Sequence, residues 1–345
     1  MTLRLAFLGF RHGHAYSLYR DAAKSAEVRI VAACEEDAEA RQQAEAAGIT
    51  ITHVDDEALL QDVTCDAVVL GDYFGRRGSQ AIRALSAGLH VLADKPLCTR
   101  LDELDEIERL AHDKGLKVGL ALTLRDMGQF SGVRRLVREG AIGEVLAASF
   151  GGQHPLNRGQ RPGWYFEPGK HGGTINDIAI HGLDAIRWLT GLEFAALQAA
   201  RCWNALAPDA PEFGDGAQML LNLSNGAGVM GDVSYFAPGG AGYSIPQYWR
   251  TTLWGSDGVI ETSATAKEIS LVSRTAAGPQ GVALPPDTPA GYLHAFVRDV
   301  ARERGGESAG ASAPGDLDTA EALRSTRVAL RVQQGADMGH RDIAV

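Results

Sequence analysis

The chain has 345 residues, of which 45% are hydrophobic and 22% charged, and a formal net charge of −10. That length exceeds one ordinary core and predicts two domains, and the composition is that of a globular protein with apolar material for both. An acidic balance with no long basic run argues against nucleic acid and anionic membrane as partners, and no apolar stretch approaches bilayer length. Cys34, Cys65, Cys98 and Cys202 have neither metal-ligand nor redox spacing and read as reduced thiols. The opening MTLRLAFLGF is too short an apolar run before Arg11 and His12 to be a signal peptide, so a cytoplasmic location is expected.

The first third repeats one rhythm. Leu3 to Phe10 reads as a buried strand, followed by helical spacing through Ala15, Leu18, Tyr19, Ala22 and Ala26. Val28 to Cys34 is a second strand, and Asp37 to Ala47 a helix stopped by Gly48. Ile49 to Val54 is extended and counts as a third strand, and Ala67 to Leu70 as a fourth. Gln80 to Ala87 is helical, Leu89 to Ala93 a fifth strand. A helix with Leu101, Leu104, Ile107 and Leu110 on one face then leads to a sixth strand, Lys117 to Leu122. Short apolar strands alternating with amphipathic helices imply βαβ units and a parallel sheet covered on both faces.

After about Arg125 the rhythm changes. A helix (Gly132 to Glu139) and a strand (Val145 to Phe150) precede a glycine- and proline-rich stretch, Gly151 to Gly173, and a helix from Asn176 to Thr190 closed by Gly191. Apolar runs then follow one another without helices: 195–203, 217–223, 228–235, 249–254, 258–262 and 268–272. Strand after strand predicts a largely antiparallel sheet. Helices at Tyr292–Arg304 and Asp318–Gln334 flank a linker, Gly305–Gly315. The expected domains are 1–122, a doubly wound parallel α/β domain, and 123–345, an α+β domain whose terminal helices pack back on the first.

Four places carry candidate chemistry. The first strand runs into Gly9-Phe10-Arg11-His12-Gly13-His14. A dinucleotide fingerprint wants glycines there, for a tight turn and for close approach of a pyrophosphate to a helix N-terminus. Gly9 stands in the first glycine's place, Arg11 in the second's and His14 in the third's. Arg11 offers a donor fork to a pyrophosphate in place of the glycine; without a ligand the segment is a plain strand-to-helix turn. Glu35 and Glu36 end the second strand, where a carboxylate accepts ribose hydroxyls and repels a 2′-phosphate; no Arg or Lys adjoins them in sequence, which favours NAD over NADP. Asp94-Lys95-Pro96 follows the fifth strand, at the carboxyl edge where ligands sit, so the Lys95 ammonium is suited to polarise a substrate oxygen. On the helix after Gly172-Gly173, helical spacing puts Asp177, His181, Asp184 and Trp188 on one stripe. His181 beside a carboxylate is a candidate general acid/base, or a core histidine satisfied by Asp184. His171, Asp177 and His181 do not have zinc-site spacing, and no metal is expected.

On these residues the chain resembles the Gfo/Idh/MocA oxidoreductases almost end to end. The resemblance rests on Gly9, on Ala87 to Pro96 (AGLHVLADKP), on Arg125, on Ile142-Gly143-Glu144-Val145, and on Gly172 to Asp184 with Trp188. It implies an N-terminal Rossmann domain, a C-terminal domain with an open, mostly antiparallel sheet, and homodimers or homotetramers built through that sheet. Carried over by position, it makes Lys95 and His181 the catalytic pair, with Asp177 orienting the site. Cofactor contacts would come from Gly9, Phe10, Arg11, His12, His14, Glu35, Asp94 and Lys95. The sequence departs from the family at Arg11 and His14. It departs again at Gly71 to Arg77 (GDYFGRR), where the family more often has Thr-Pro-Asn and a His; Asp72, Tyr73 and Arg77 there also fall at the cofactor. Substrate contacts are expected from Arg125, His154, Trp164, Lys170, Asn176, Asp177 and His181.

The resulting expectation is an NAD-dependent oxidoreductase acting on a secondary alcohol of a sugar, inositol or similar polyol. Two other readings stay open: a non-catalytic sugar or nucleotide sensor on the same scaffold, and a lyase or glycosidase that uses transient hydride transfer.

Overall fold

The structure is a computed structural model that describes residues 2–303 and 316–339 and the backbone of 343–344. The linker expected at Gly305–Gly315, and Arg304 before it, lie outside the described residues. In chain order the elements are β1 (Leu3–Leu8), α1 (Gly13–Lys24), β2 (Val28–Cys34), α2 (Ala38–Ala46), α3 (Asp56–Asp62), β3 (Ala67–Leu70), α4 (Phe74–Ser86), β4 (His90–Asp94), α5 (Leu101–Asp113) and β5 (Val118–Ala121). There follow α6 (Gly128–Arg138), β6 (Val145–Pro155), α7 (Ile180–Thr190), β7 (Phe194–Trp203), β8 (Gly216–Leu223), β9 (Gly228–Ala237), β10 (Thr251–Gly255), β11 (Gly258–Thr262), β12 (Glu268–Ser273), β13 (Gln280–Ala283), α8 (Gly291–Glu303), α9 (Thr319–Met338) and β14 (Ile343–Ala344). None of the described helices is long and apolar enough to cross a membrane.

The chain divides into two compact units. The first is Met1–Ala121 with Gly169–Gly172 and Ala290–Thr326; the second is Leu122–Pro168, Gly173–Pro289 and Arg327–Val345. The expected boundary at residue 122 therefore lies at the end of β5, but residues 123–345 are not one piece: a short loop segment, α8 and the start of α9 belong to the first unit.

In the first unit β1 to β5 form a parallel sheet in the order β2-β1-β3-β4-β5. Leu5, Phe7, Leu70, Val91 and Val118 are fully buried, as strands covered by helices on both faces require. Strand order reverses between β1 and β3, so the carboxyl ends there open a crevice. Around it stand Gly9 to His14 after β1, Glu35 after β2, Gly71 to Tyr73 after β3, and Asp94 to Pro96 at the end of β4. The expected strand at Ile49–Val54 is absent, and the strands after it number one fewer than expected. Thr52 explains this. Its hydroxyl takes both the amide and the carbonyl of Ala33 (3.1 Å each), so a side chain occupies ladder positions and only a Cys34–His53 bridge forms. The unexpected α3 starts at Asp55, whose carboxylate caps the Ala58 amide at 2.7 Å.

In the second unit nine strands run in the order β13-β12-β11-β10-β6-β9-β8-β7-β14. Only β6 and β9 pair in parallel; every other neighbour is antiparallel. The helix expected at 176–190 is in two parts: a π-turn at Ile175–Ala179, then α7. α7 packs on β6 through Gly182, where a Cβ would meet the Phe150 ring at 2.1 Å. Gly182→Ala is therefore expected to lower the unfolding free energy by about 1–3 kcal/mol through overpacking. Denaturant titration with an unchanged slope checks it; an unchanged midpoint speaks against this contact.

Candidate functional site

The first unit carries a charged site. Gly9 turns with φ 85°, and a Cβ on it would meet the Asp72 backbone at 2.7 Å, so only glycine lets β1 and β3 approach here. The turn delivers His12 as the residue before α1. A Cβ on Gly13 meets nothing within 4 Å, so the space before the helix N-terminus is open to a phosphate. With Glu35 at the end of β2, this donor set and this opening fit a dinucleotide.

Of the two residues in glycine places, His14 joins a polar cluster centred on a buried carboxylate. Asp94, with no exposed surface, accepts from His12 Nδ1, from His14 Nδ1 at 3.1 Å and from Arg77 Nη2 at 2.9 Å. Burial opposes ionisation of the Asp94 carboxyl, but its donors His12, Arg77 and His14 outweigh it and hold the group well below the usual carboxylate range. Burial pushes His12 down to about 3, against the pull of Asp94, so the imidazole stays neutral. The ligand atoms of His12, His14 and Asp94 lie within 4.8 Å of one another, a spacing that admits a metal ion. The Arg77 guanidinium on the same carboxylate disfavours a dication there.

The ribose end differs from its sequence reading in two ways. Glu35 is buried, and its carboxylate accepts from the Phe10 amide at 2.6 Å, the Asp37 amide at 2.8 Å and Arg11 Nε at 3.4 Å. Arg11 thus points at carboxylates, Glu35 and Asp72 (3.5 Å), and lies over the Tyr73 ring at 5.4 Å; it is not aimed at a pyrophosphate. Glu36, with no basic neighbour in sequence, has one in space: Arg76 of α4, at 2.7 Å. Burial raises Asp72 to about 6 against the charges of Arg11 and Arg76. Arg77, expected at the cofactor, is entirely enclosed and engaged with protein carbonyls and Asp94.

Lys95 is buried, with its ammonium 5.6 Å from the Phe74 ring centre, and the Lys95–Pro96 bond is cis. Lys170, expected at the substrate, belongs to the first unit. Its carbonyl accepts the Gly75 amide at 2.8 Å and its ammonium lies 5.2 Å over Tyr73.

The second unit holds an aromatic site of its own. Tyr235, fully buried in β9, donates its hydroxyl to Asp177 in the π-turn. Burial, with the Asp177 charge beside it, raises the phenol well above its ordinary range, so it stays a donor. Arg161 lies 4.8 Å over both Tyr165 and Tyr235, held by the carbonyls of Pro155 (2.9 Å) and Leu156 (2.8 Å). The Trp249 ring stands edge-on to His181 (5.1 Å) and to His154 (5.3 Å), and His154 also meets Tyr235, Tyr243 and Tyr248. Trp249 has φ 54°, a left-handed backbone uncommon outside glycine and typical of functional sites. Asn176 is buried in the π-turn, and the Trp164 ring lies tilted against Tyr165, with centroids 4.3 Å apart.

Arg125, expected at the substrate, is buried and grips Asp184 with both arms (2.8 and 2.5 Å) while lying over Trp188. It braces α7, and it takes the carboxylate offered above as a partner for His181. Sequence reading missed Tyr235 and Trp249, both taken as strand residues. Nothing in an alternating apolar pattern marks a strand tyrosine as a carboxylate partner.

An NAD-binding type of α/β domain joined to a mixed-sheet domain bearing this Asp–Tyr–His cluster defines a class of two-domain oxidoreductase-type proteins. Residues 3–122 match the oxidoreductase family with an NAD-binding Rossmann fold, and residues 130–261 match the GFO/IDH/MocA C-terminal domain. The chain belongs to the Gfo/Idh/MocA family. It is 32% identical to a 1,5-anhydro-D-fructose reductase of Ensifer adhaerens over 41% of this chain and 42% of that one. It is 27% identical to inositol 2-dehydrogenase 1 of Saccharopolyspora erythraea over 78% of this chain and 76% of that one. The alignments span 42%, 39% and 62% of three curated relatives. An inositol dehydrogenase homologue of Azotobacter vinelandii, solved with NAD+, shares the fold with a TM-score of 0.82 at 18% identity, over 100% of this chain and 98% of that one.

A pH dependence follows from His12. Its folded value, about 3, lies below the ordinary 6.5, so the unfolded chain takes up the proton first. The contribution is complete above about 6.5 and is lost as pH falls towards 3. Asp72, raised from 3.8 to about 6, acts in the opposite sense between those values. The Tm difference between the parent and His12→Asn cancels that common term. The parent is expected to lose its margin over the variant from pH 6.5 downward; a margin constant with pH contradicts a neutral His12.

Proposed function

We propose that this chain is an NAD-dependent dehydrogenase oxidising a secondary alcohol of a sugar, inositol or similar polyol. The observation that carries this reading is that the first unit holds an ionised, buried Asp94 beside Lys95, and the second a His181 set against Trp249 with an Asp177–Tyr235 couple. Bound NAD supplies the hydride acceptor. His181 takes the hydroxyl proton, and Lys95 holds the developing negative charge on the same oxygen. Tyr235 fixes the Asp177 carboxyl, which orients His181. The rings of Trp249, Tyr243 and Tyr248 suit the C–H face of a polyol, and Arg161 its hydroxyls. Relatives named for inositol, scyllo-inositol and D-xylose support the substrate class. Glu35, anchored by the Phe10 amide, supports NAD over NADP.

The test is a panel of inositols, aldoses and anhydro-sugars followed at the NADH absorbance, with Lys95→Met and His181→Ala beside the parent. Each substitution is expected to lower kcat at least about 100-fold while leaving the NAD affinity within a few-fold. A parent that turns over nothing, or variants as fast as the parent, rules the reading out.

We also propose that copies associate through the large sheet. One face of it exposes Leu220, Met230 (61% accessible) and Trp254 (55%) around a concavity of about 1160 Å³. Light scattering is expected to give a multiple of 36.7 kDa for the parent and the monomer mass for the double variant Met230→Glu, Trp254→Glu. A monomeric parent contradicts it.

A further inference from the structure

Arg77 has no part in the chemistry so far, yet it is the largest fully buried side chain that carries a charge. Its contacts converge on one short segment. Nη1 lies 2.9 Å from the carbonyl of Asp94, 2.7 Å from that of Lys95 and 3.2 Å from that of Pro96. Nη2 donates to the Asp94 carboxylate at 2.9 Å, and Nε to the Asp72 carbonyl at 2.8 Å. Three successive carbonyls turned towards one point repel one another, and a cation at that point makes the turn stable. The planar fork reaches a carboxylate and two chain segments at once, which a lysine's single point charge does not. Phe74, the first residue of α4, lies under both cations: its ring centre is 4.7 Å from the Arg77 guanidinium and 5.6 Å from the Lys95 ammonium. A buried ion pair is a poor device for stability alone, because apolar residues of like volume do as well.

We propose that Arg77 is the positioning residue of Lys95. It fixes the turn that aims the ammonium and, through Asp94, joins that turn to His12 and His14 at the cofactor's phosphate turn. The inference rests on the reading of Lys95 as the oxyanion-stabilising group, and a displaced lysine would cost turnover much as a misplacement of about 1 Å costs on the order of 100-fold.

The chain has six lysines, Lys24, Lys95, Lys114, Lys117, Lys170 and Lys267, so protein grown on lysine labelled with 13C at Cε gives a countable spectrum. Lys95→Met identifies the Lys95 signal, expected upfield because its end group lies over the Phe74 ring. In Arg77→Lys that displacement is expected to collapse, with the signals of Lys24, Lys114 and Lys267 unmoved and the NAD Kd within about threefold by calorimetry. Arg77→Gln serves as the second variant should Arg77→Lys not fold. An unmoved Lys95 signal overturns the proposal. So does a general loss of NAD binding, or unfolding of both variants, each of which makes Arg77 a support for the domain as a whole. The catalytic reading fails separately: undiminished NADH formation by Lys95→Met removes it and leaves the hold of Arg77 on the lysine to be read from the spectrum.

Discussion

A carboxylate with no exposed surface governs the first unit. Asp94 ends β4, and burial alone would neutralise it. It stays ionised because Arg77, His12 and His14 converge on its two oxygens. Each donor comes from a different segment: the turn after β1, the first turn of α1, and α4. Satisfying one buried charge thus fixes three pieces of chain around the crevice where the strand order reverses. It also accounts for His14 in one glycine's place, while Arg11, in the other, turns to Glu35 and Asp72. A phosphate turn with His12 and His14 in it is a turn braced by side chains where glycine-rich turns rely on bare backbone.

The second unit solves the same problem twice on one helical segment. Asp184 is neutralised by both arms of Arg125, which makes it structural. Asp177 accepts the Tyr235 hydroxyl, and its charge is felt by the Arg161 guanidinium. The π-turn at Ile175–Ala179 sits where this distinction is made, and π-turns inside helices recur at functional sites. Trp249, with its left-handed backbone, holds the edges of His154 and His181 at about equal distance.

Much of this was legible in the residues. The βαβ rhythm and the sheet of successive strands come from periodicity and order, which are local, and the choice of Lys95, Asp177 and His181 comes from the family resemblance. What was not legible depends on contacts distant in sequence. Arg77 looks like a loop residue at the cofactor until the turn at 94–96 is folded around it. Arg76 reaches Glu36 across forty positions, so a reading of neighbours in sequence found no base there. Arg125 looked like a ligand-binding arginine because its partner Asp184 lies 59 residues away. Thr52 broke an expected strand by a side-chain bond that hydropathy does not record. The dividing line is physical: apolar burial repeats along the chain, whereas the pairing of buried charges is settled only by the tertiary structure.

The account stands or falls on hydride passing from a polyol carbon to nicotinamide. Mass spectrometry of the reduced dinucleotide formed on incubation with perdeuterated inositols and aldoses tests this most directly, because it traces the hydride to a polyol carbon. The account predicts nicotinamide heavier by one deuterium with at least one of these polyols, abolished in Lys95→Met. Tight NAD binding with no deuterium gained from any of them would contradict it.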